Sequence, residues 1–454
     1  MNLSKTSKYV LTGVLVCMIG SCDLEKTNVN PDNPEEVPSR VLLSSVEAGF
    51  AYTVGGDMGR YANVLTQHLA GIGRQHLVIG RNQVTENDVD NAWRFNLYPQ
   101  MQNLRIIIDQ AQETNSPHFS GAAKVMLAAI LGVTTDAWGS IPFSNAFQGL
   151  AEFNPTYDSQ EQIYTAIQTL LDEGIVELQA TESTNTLGNT DLIYRGNLAN
   201  WVKAAYTLKA RYYNHLSNRN PAQSAQQALD ALDNGFTSNA EDMSFMFGSA
   251  ETEGNPYYQF NDQRGDVVMG KFFTDLLMDR DDPRLEQYVS PLDGSFEGAN
   301  AGVAETGADM GPFYASINSP VPLITYPEAL FIKAEAHLRL GQNAEAAEAY
   351  NNAVKASLRN VTGTDAYPLY VALNASATAV TISLEQIMTQ KYISLFTTFE
   401  TWVDLRRTGL PDIPTPANAL GPRPVRFPYP QSERTFNAAN VPDVQLTTPL
   451  FWDE

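Results

Sequence analysis

Cysteine is almost missing from this chain of 454 residues: Cys17 and Cys22 are the only two, both near the N-terminus. The remainder builds no disulfide within itself, and a chain of this length does not need one, because its core is large enough to hold a fold unaided. Basic residues are also scarce, with 29 Lys and Arg against 51 Asp and Glu and a formal net charge of −22. Such a surface repels phosphate backbones, which argues against a nucleic-acid partner, and it disfavours electrostatic adsorption to anionic lipid. Solubility alone also accounts for the acidity. The five histidines, His68, His76, His118, His215 and His337, include no pair at metal-ligating helical spacing. A Gly-x-Ser-x-Gly elbow and a phosphate-cradling loop with lysine are both missing, and Gly71-Ile72-Gly73 lacks its third glycine. No cofactor and no catalytic residue are therefore nominated. A glycosidase stays open as an alternative, since paired carboxylates can be distant in sequence.

What is present begins at the N-terminus. Lys5 and Lys8 precede an apolar run from Tyr9 to Ile19, too short to span a bilayer as a helix and shaped like a secretory signal. Ile19-Gly20-Ser21-Cys22 resembles a bacterial lipobox, in which cleavage before an acylated cysteine leaves Cys22 as the first mature residue. Residues 1–21 are then the signal peptide, and loss of Lys5 and Lys8 takes the net charge from −22 to −24. Residues 22–38 are polar and carry Pro31, Pro34 and Pro38, which reads as a flexible tether.

Beyond the tether, helical periodicity dominates. Leu330 to Ala353 follows the tetratricopeptide pattern, with Ala334, Ala346 and Ala353 where two helices touch, Gly341 at the turn and Tyr350 filling the next gap. A weaker hairpin runs from Trp201 to Leu232, with a first helix ending near Ser217, Pro221 in the next helix's first turn and Gly235 at the end. Two further helices are expected over Ser120–Trp138 and Ser159–Leu178, the second opened by Asp158 and Glu161 in capping-box spacing. From 236 to 323, and again from 410 to 454, glycine, proline and aromatic residues replace the periodicity. Asp279, Asp281 and Asp282 cluster as calcium ligands do, but Pro283-Arg284 breaks the loop, so they read as solvated charge.

Several segments then become specific. Asp191-Leu-Ile-Tyr-Arg-Gly196 leading to Trp201 and Leu208-Lys-Ala-Arg211, then Asn255-Pro-Tyr-Tyr258, Asp282-Pro-Arg-Leu285, Tyr326-Pro-Glu328, Gln390-Lys-Tyr392, Trp402-Val-Asp-Leu-Arg-Arg-Thr-Gly409, Arg426-Phe-Pro-Tyr-Pro430 and Pro449-Leu-Phe-Trp-Asp453 follow in the order of the SusD/RagB-like family. The resemblance runs from Cys22 to the last residues. It implies a mainly α protein, with tetratricopeptide-like hairpins forming a superhelical scaffold (about 39–235 and 324–409) that carries a loop-rich subdomain (about 236–323) and an irregular C-terminal segment (410–454), all within one domain, 39–454. It further implies a lipid-anchored outer-membrane protein facing the cell exterior, which captures oligosaccharides, or in some members peptides, for import through a SusC-like TonB-dependent transporter. The alternative of a scaffold holding only a protein partner is natural for such hairpins.

Within the motifs, Trp201, Arg211, Glu335, Trp402, Asp404 and Arg406 lie on or beside expected helices and read as buried packing. Ligand contacts are sought elsewhere, because sugars are held by aromatic faces together with amides, carboxylates and guanidinium groups. The stretch from Arg60 to Asn82 offers Tyr61, Arg74, His76 and Arg81, and the glycine-rich loops offer Phe296, Phe313 and Tyr314. Tyr61, Arg74, His76, Arg81, Phe313 and Tyr314 are the candidate ligand-binding residues, Trp93 being assigned to the core.

Overall fold

A computed structural model describes residues 37–453; the lipobox, Cys22 and nearly all of the tether fall outside the described residues. The first of the described helices begins right after Pro38, which lacks the N–H a helix interior needs. Helices α1 (Ser39–Val54), α2 (Asp57–Leu65), α3 (Arg74–Ile79), α4 (Glu86–Asn91), α5 (Tyr98–Glu113), α6 (Pro117–Trp138), α7 (Gln160–Leu178), α8 (Leu198–His215) and α9 (Pro221–Leu232) come first, with a short π-helical turn, Ala92–Leu97, leading into α5. Neighbours pack in the order α5–α6–α7–α8–α9, and α9 lies against α14 (Tyr326–Arg339), which pairs with α15 (Asn343–Thr362). The row is the expected scaffold of helical hairpins. Its second helix, α6, is long and apolar enough to cross a membrane by length and composition alone but is buried almost throughout inside the protein.

The α14–α15 hairpin fulfils its sequence pattern. Ala334, Ala346 and Ala353 are buried at the helix contact, and Gly341 turns the chain at φ +72°, a region open to glycine without Cβ strain. Tyr350 fills the gap and donates its hydroxyl to the Asn374 carbonyl (2.8 Å). One detail is corrected at α7. Its capping box is formed by Ser159 and Gln162, not by Asp158 and Glu161. Asp158 instead accepts the backbone N–H groups of Phe143 and Ser144 (2.9 and 2.8 Å), pinning the loop that follows α6.

The segment between the two helical parts has more order than its composition suggests. It contains α10 (Pro256–Gln263), α11 (Lys271–Met278), α12 (Leu285–Tyr288) and α13 (Pro312–Ala315). Three two-stranded antiparallel ladders join β1 (Leu69–Gly71) to β3 (Val267–Met269), β2 (Met243–Met246) to β6 (Pro320–Ile324), and β4 (Val289–Ser290) to β5 (Asp309–Met310). Elements of two to eight residues hold too few periods to stand out in a sequence. Helices α16 (Pro368–Asn374), α17 (Leu384–Ser394), α18 (Glu400–Thr408) and α19 (Gln431–Phe436) complete the chain.

The signature residues are structural. Asp191 accepts the N–H groups of Ile193, Tyr194 and Gly196 and the indole N–H of Trp201 (2.8 Å), so one carboxylate shapes the turn and anchors α8. Arg211 pairs with Glu328 (2.6 Å), Lys391 with Asp404 (2.7 Å), and Arg407 with both Glu335 and Asp404, linking α8, α14, α17 and α18 through a buried network. Arg406 lies over the Trp402 ring (3.8 Å) and near that of Trp452 (4.9 Å), tying the C-terminal segment to the scaffold. The reading of Asp279, Asp281 and Asp282 as solvated charge fails at Asp282. That carboxylate is buried and bound to Arg284 (2.6 Å), which also donates to Ser357, Tyr370 and Gln390 and so joins the 236–323 segment to α15, α16 and α17.

Candidate functional site

Four segments converge beside β1 and β3, with α3 inside the first of them. Ile72 N donates to Asp266 O (2.8 Å), Arg81 Nε to Gly302 O (2.9 Å), Leu420 N to Arg81 O (2.8 Å), and Asn82 Nδ2 to Gly421 O (3.1 Å). These contacts bring residues 72–85, 264–270, 296–308 and 411–425 onto one face. Beneath it, Gln67 Nε2 donates to Pro414 O (2.6 Å), and His68 stacks on Tyr392 with ring centroids 3.8 Å apart. The loops therefore rest on a packed floor, which gives them the rigidity that loops need to present a ligand surface.

The candidate residues separate into an outer and an inner set. Arg74 is outer: its side chain is 60% exposed, while Nη1 donates to both carboxylate oxygens of Asp266 (2.9 Å each), itself only 5% exposed. Arg264, 51% exposed, approaches the same carboxylate at 4.0 Å. Arg81 is half-buried along Gly302, and Phe313 is half-buried with its ring edge-on to Tyr314. Tyr61, His76 and Tyr314 are inner, and for these three the expectation of an exposed contact is corrected. Tyr61 is buried on α2 between His76 and Phe427, its hydroxyl accepting from Gln75 Nε2 (2.9 Å) and donating to Asp88 O. Tyr314 lies stacked on Tyr288 in the core.

His76 sits between the rings of Tyr61 and Phe260 with neither nitrogen hydrogen-bonded to protein. Burial, then the positive charges of Arg60 and Arg264, push its pKa down to about 3, so the ring is neutral. Arg60 covers the other ring of this layer, its guanidinium 4.0 Å from the Phe260 centroid. Helix α10, which carries Phe260, also packs on α13 with Phe313 and Tyr314. Both candidate groups thus border one helix, although no single contact joins Arg74 to Phe313.

Trp93 belongs to the core, packed edge-on against Trp138. Sequence reasoning passed over its neighbour Phe95, whose ring is exposed beneath the Arg94 guanidinium, and over the exposed Phe153 and Phe436. The Asn154 amide donates to Phe436 O (2.5 Å), so the segments bearing these last two rings are adjacent. A single aromatic in a short irregular segment carries no periodic signal of exposure, which is why they were missed. Among the described residues no group of three His, Cys, Asp or Glu is placed to hold a metal ion.

The sequence model of the SusD-like family described as starch-binding and associating with the outer membrane matches residues 31–430. No curated protein sequence matches the chain. Among solved structures, a SusD/RagB family protein from Bacteroides thetaiotaomicron is 26% identical and superposes with a TM-score of 0.78, covering 92% of this chain and 99% of that one. A Bacteroidetes SusD-like protein, 22% identical, gives 0.79 over 92% of this chain and 100% of its own. A chitin-binding SusD homologue from Flavobacterium johnsoniae, also 22% identical, gives 0.78 over 90% and 99%. At that identity these last two similarities establish the fold. The family model spans most of the chain and the solved relatives share its fold, so the protein belongs to the SusD-like family.

Proposed function

We propose that this protein is a non-catalytic, lipid-anchored binding protein of the outer membrane that captures oligosaccharides at the cell exterior and delivers them to a SusC-like TonB-dependent transporter. The observation that carries the reading is the family match over residues 31–430, a family described by starch binding and outer-membrane association. The chitin-binding homologue with the same fold supports a glycan as ligand. The four-segment face supports the location: it lies outside the helical row, rests on a rigid floor and presents Arg74, Arg81 and Arg264. Acylation at Cys22 supplies the anchor, because an acyl chain gains about 0.8 kcal/mol for each buried methylene.

Calorimetric titration of the purified chain with malto- and chito-oligosaccharides and with acidic oligosaccharides tests the reading, alongside an assay for new reducing ends. Saturable binding of an oligosaccharide without product is the expected outcome. Release of reducing ends places the chain among glycosidases instead, and binding of peptides alone makes it a peptide-capturing member of the family.

A further inference from the structure

We propose that the ligand of the four-segment face is an anionic glycan, whose carboxylate or sulfate groups are held by Arg74 and Arg264. The inference rests on the glycan-binding reading above and goes beyond it by fixing the charge class of the ligand. Asp266 stands between two guanidinium groups, but one carboxylate neutralises only one of them. The carboxylate is the buried partner and the guanidinium groups are the exposed ones, so the charge offered to a ligand is positive. This is set on a chain with 51 acidic and 29 basic residues, whose general surface repels anions. A cationic spot on an anionic protein selects for ligands that gain enough locally to overcome that repulsion.

The geometry of Arg74 points the same way. Both contacts to Asp266 use Nη1, so Nε and Nη2 remain for a ligand, and the aspartate tethers the guanidinium at this face before one arrives. The planar fork of Nε and Nη2 matches the two oxygens of a carboxylate or sulfate better than the scattered hydroxyls of a neutral sugar. Arg74 also holds a left-handed backbone at φ +47°, as do Gln67 (φ +59°) and Asn82 (φ +66°) in the same stretch. Three such residues that are not glycine mark a segment kept in an unfavourable conformation by its surroundings, as ligand clamps are. Arg81, farther along the stretch, offers a third guanidinium on this face. Successive cations suit a polymer that repeats its negative charge, which favours an acidic glycan over the single terminal carboxylate of a peptide.

The test is calorimetric titration of the full chain with short oligogalacturonates, sulfated carrageenan oligosaccharides, neutral malto- and chito-oligosaccharides, and an acidic peptide. An acidic oligosaccharide should bind at least about tenfold more tightly than any neutral one, and its affinity should fall with rising salt. Preference for oligogalacturonate assigns the carboxylate as the recognised group, and preference for carrageenan assigns the sulfate. Arg264→Ala leaves the Arg74–Asp266 pair intact, so it should fold normally and weaken the acidic ligand by about tenfold. Arg74→Lys keeps the charge but loses the fork, and should weaken it as well. Tight binding of a neutral oligosaccharide that Arg264→Ala does not alter overturns the anionic assignment and leaves glycan capture standing. Binding of the acidic peptide with no oligosaccharide overturns both.

Discussion

Tyr61 and Arg74 stand only thirteen positions apart, yet they do different work. Both were expected on an exposed, glycine-containing stretch; Arg74 is exposed and Tyr61 is not. The difference arises from contacts far along the chain, with Phe427 and His76 closing over the tyrosine ring, and no local pattern announces them. Tyr61→Ala is therefore expected to open a cavity and cost about 3 kcal/mol, read as a lowered midpoint in chemical denaturation. His215 makes a second residue-scale prediction. Burial pulls its pKa down, but the Glu400 carboxylate (2.7 Å) and Asp136 (3.3 Å) outweigh that and hold it at about 9, against an ordinary value of 6.5. A raised pKa in the folded state stabilises fully below pH 6.5, and the contribution, on the order of 3 kcal/mol, is lost as pH climbs through 9. The gap in melting temperature between wild type and His215→Asn should accordingly narrow from pH 6.5 to pH 9. A gap that stays constant shows that the imidazole is not charged in the fold.

Among the elements, the long helices were legible and the short ones were not. The α14–α15 hairpin and the α8–α9 pair appear where periodicity, Gly341 and Pro221 put them, because a helix of several turns repeats its apolar face often enough to be read. Helices α2 and α3, which carry Tyr61, Arg74 and His76, showed no periodicity of their own, and the ladders of the 236–323 segment were hidden in a stretch read as loop-rich. Their hydrogen bonds join residues distant in sequence, as Leu69–Gly71 with Val267–Met269, and only the folded chain reveals them. The same holds for Asp282-Pro283-Arg284. Its charges looked solvated, whereas Arg284 is the buried hub between α12, α15, α16 and α17. Arg284→Met is expected to cost about 3–5 kcal/mol, since it leaves the Asp282 carboxylate buried without its cation. Denaturant melts of the single variant and of the Asp282→Asn/Arg284→Met pair check this. The double variant should recover part of the loss, and no recovery means that lost packing, not the stranded charge, sets the cost.

At the scale of the whole molecule, the helical row supplies a rigid body, and the proposed binding face is made where the 236–323 and 410–454 segments meet the 72–85 stretch. The proposed anchor, Cys22, lies outside the described residues and is read from the lipobox. Cys22→Ser is expected to leave the protein unacylated and released from the outer-membrane fraction, as followed by palmitate labelling; labelling equal to wild type rules out Cys22 as the acylated residue. On this account the four convergent segments, and not the hairpins, hold the ligand. Amide hydrogen exchange of the full chain, with and without a saturating mixture of oligogalacturonate and chito-oligosaccharides, tests it directly. Protection should rise within residues 72–85, 264–270, 296–308 and 411–425 and stay unchanged in α9 and α15. Protection confined to the helical hairpins, or to none of the chain while the ligand is bound, contradicts the account.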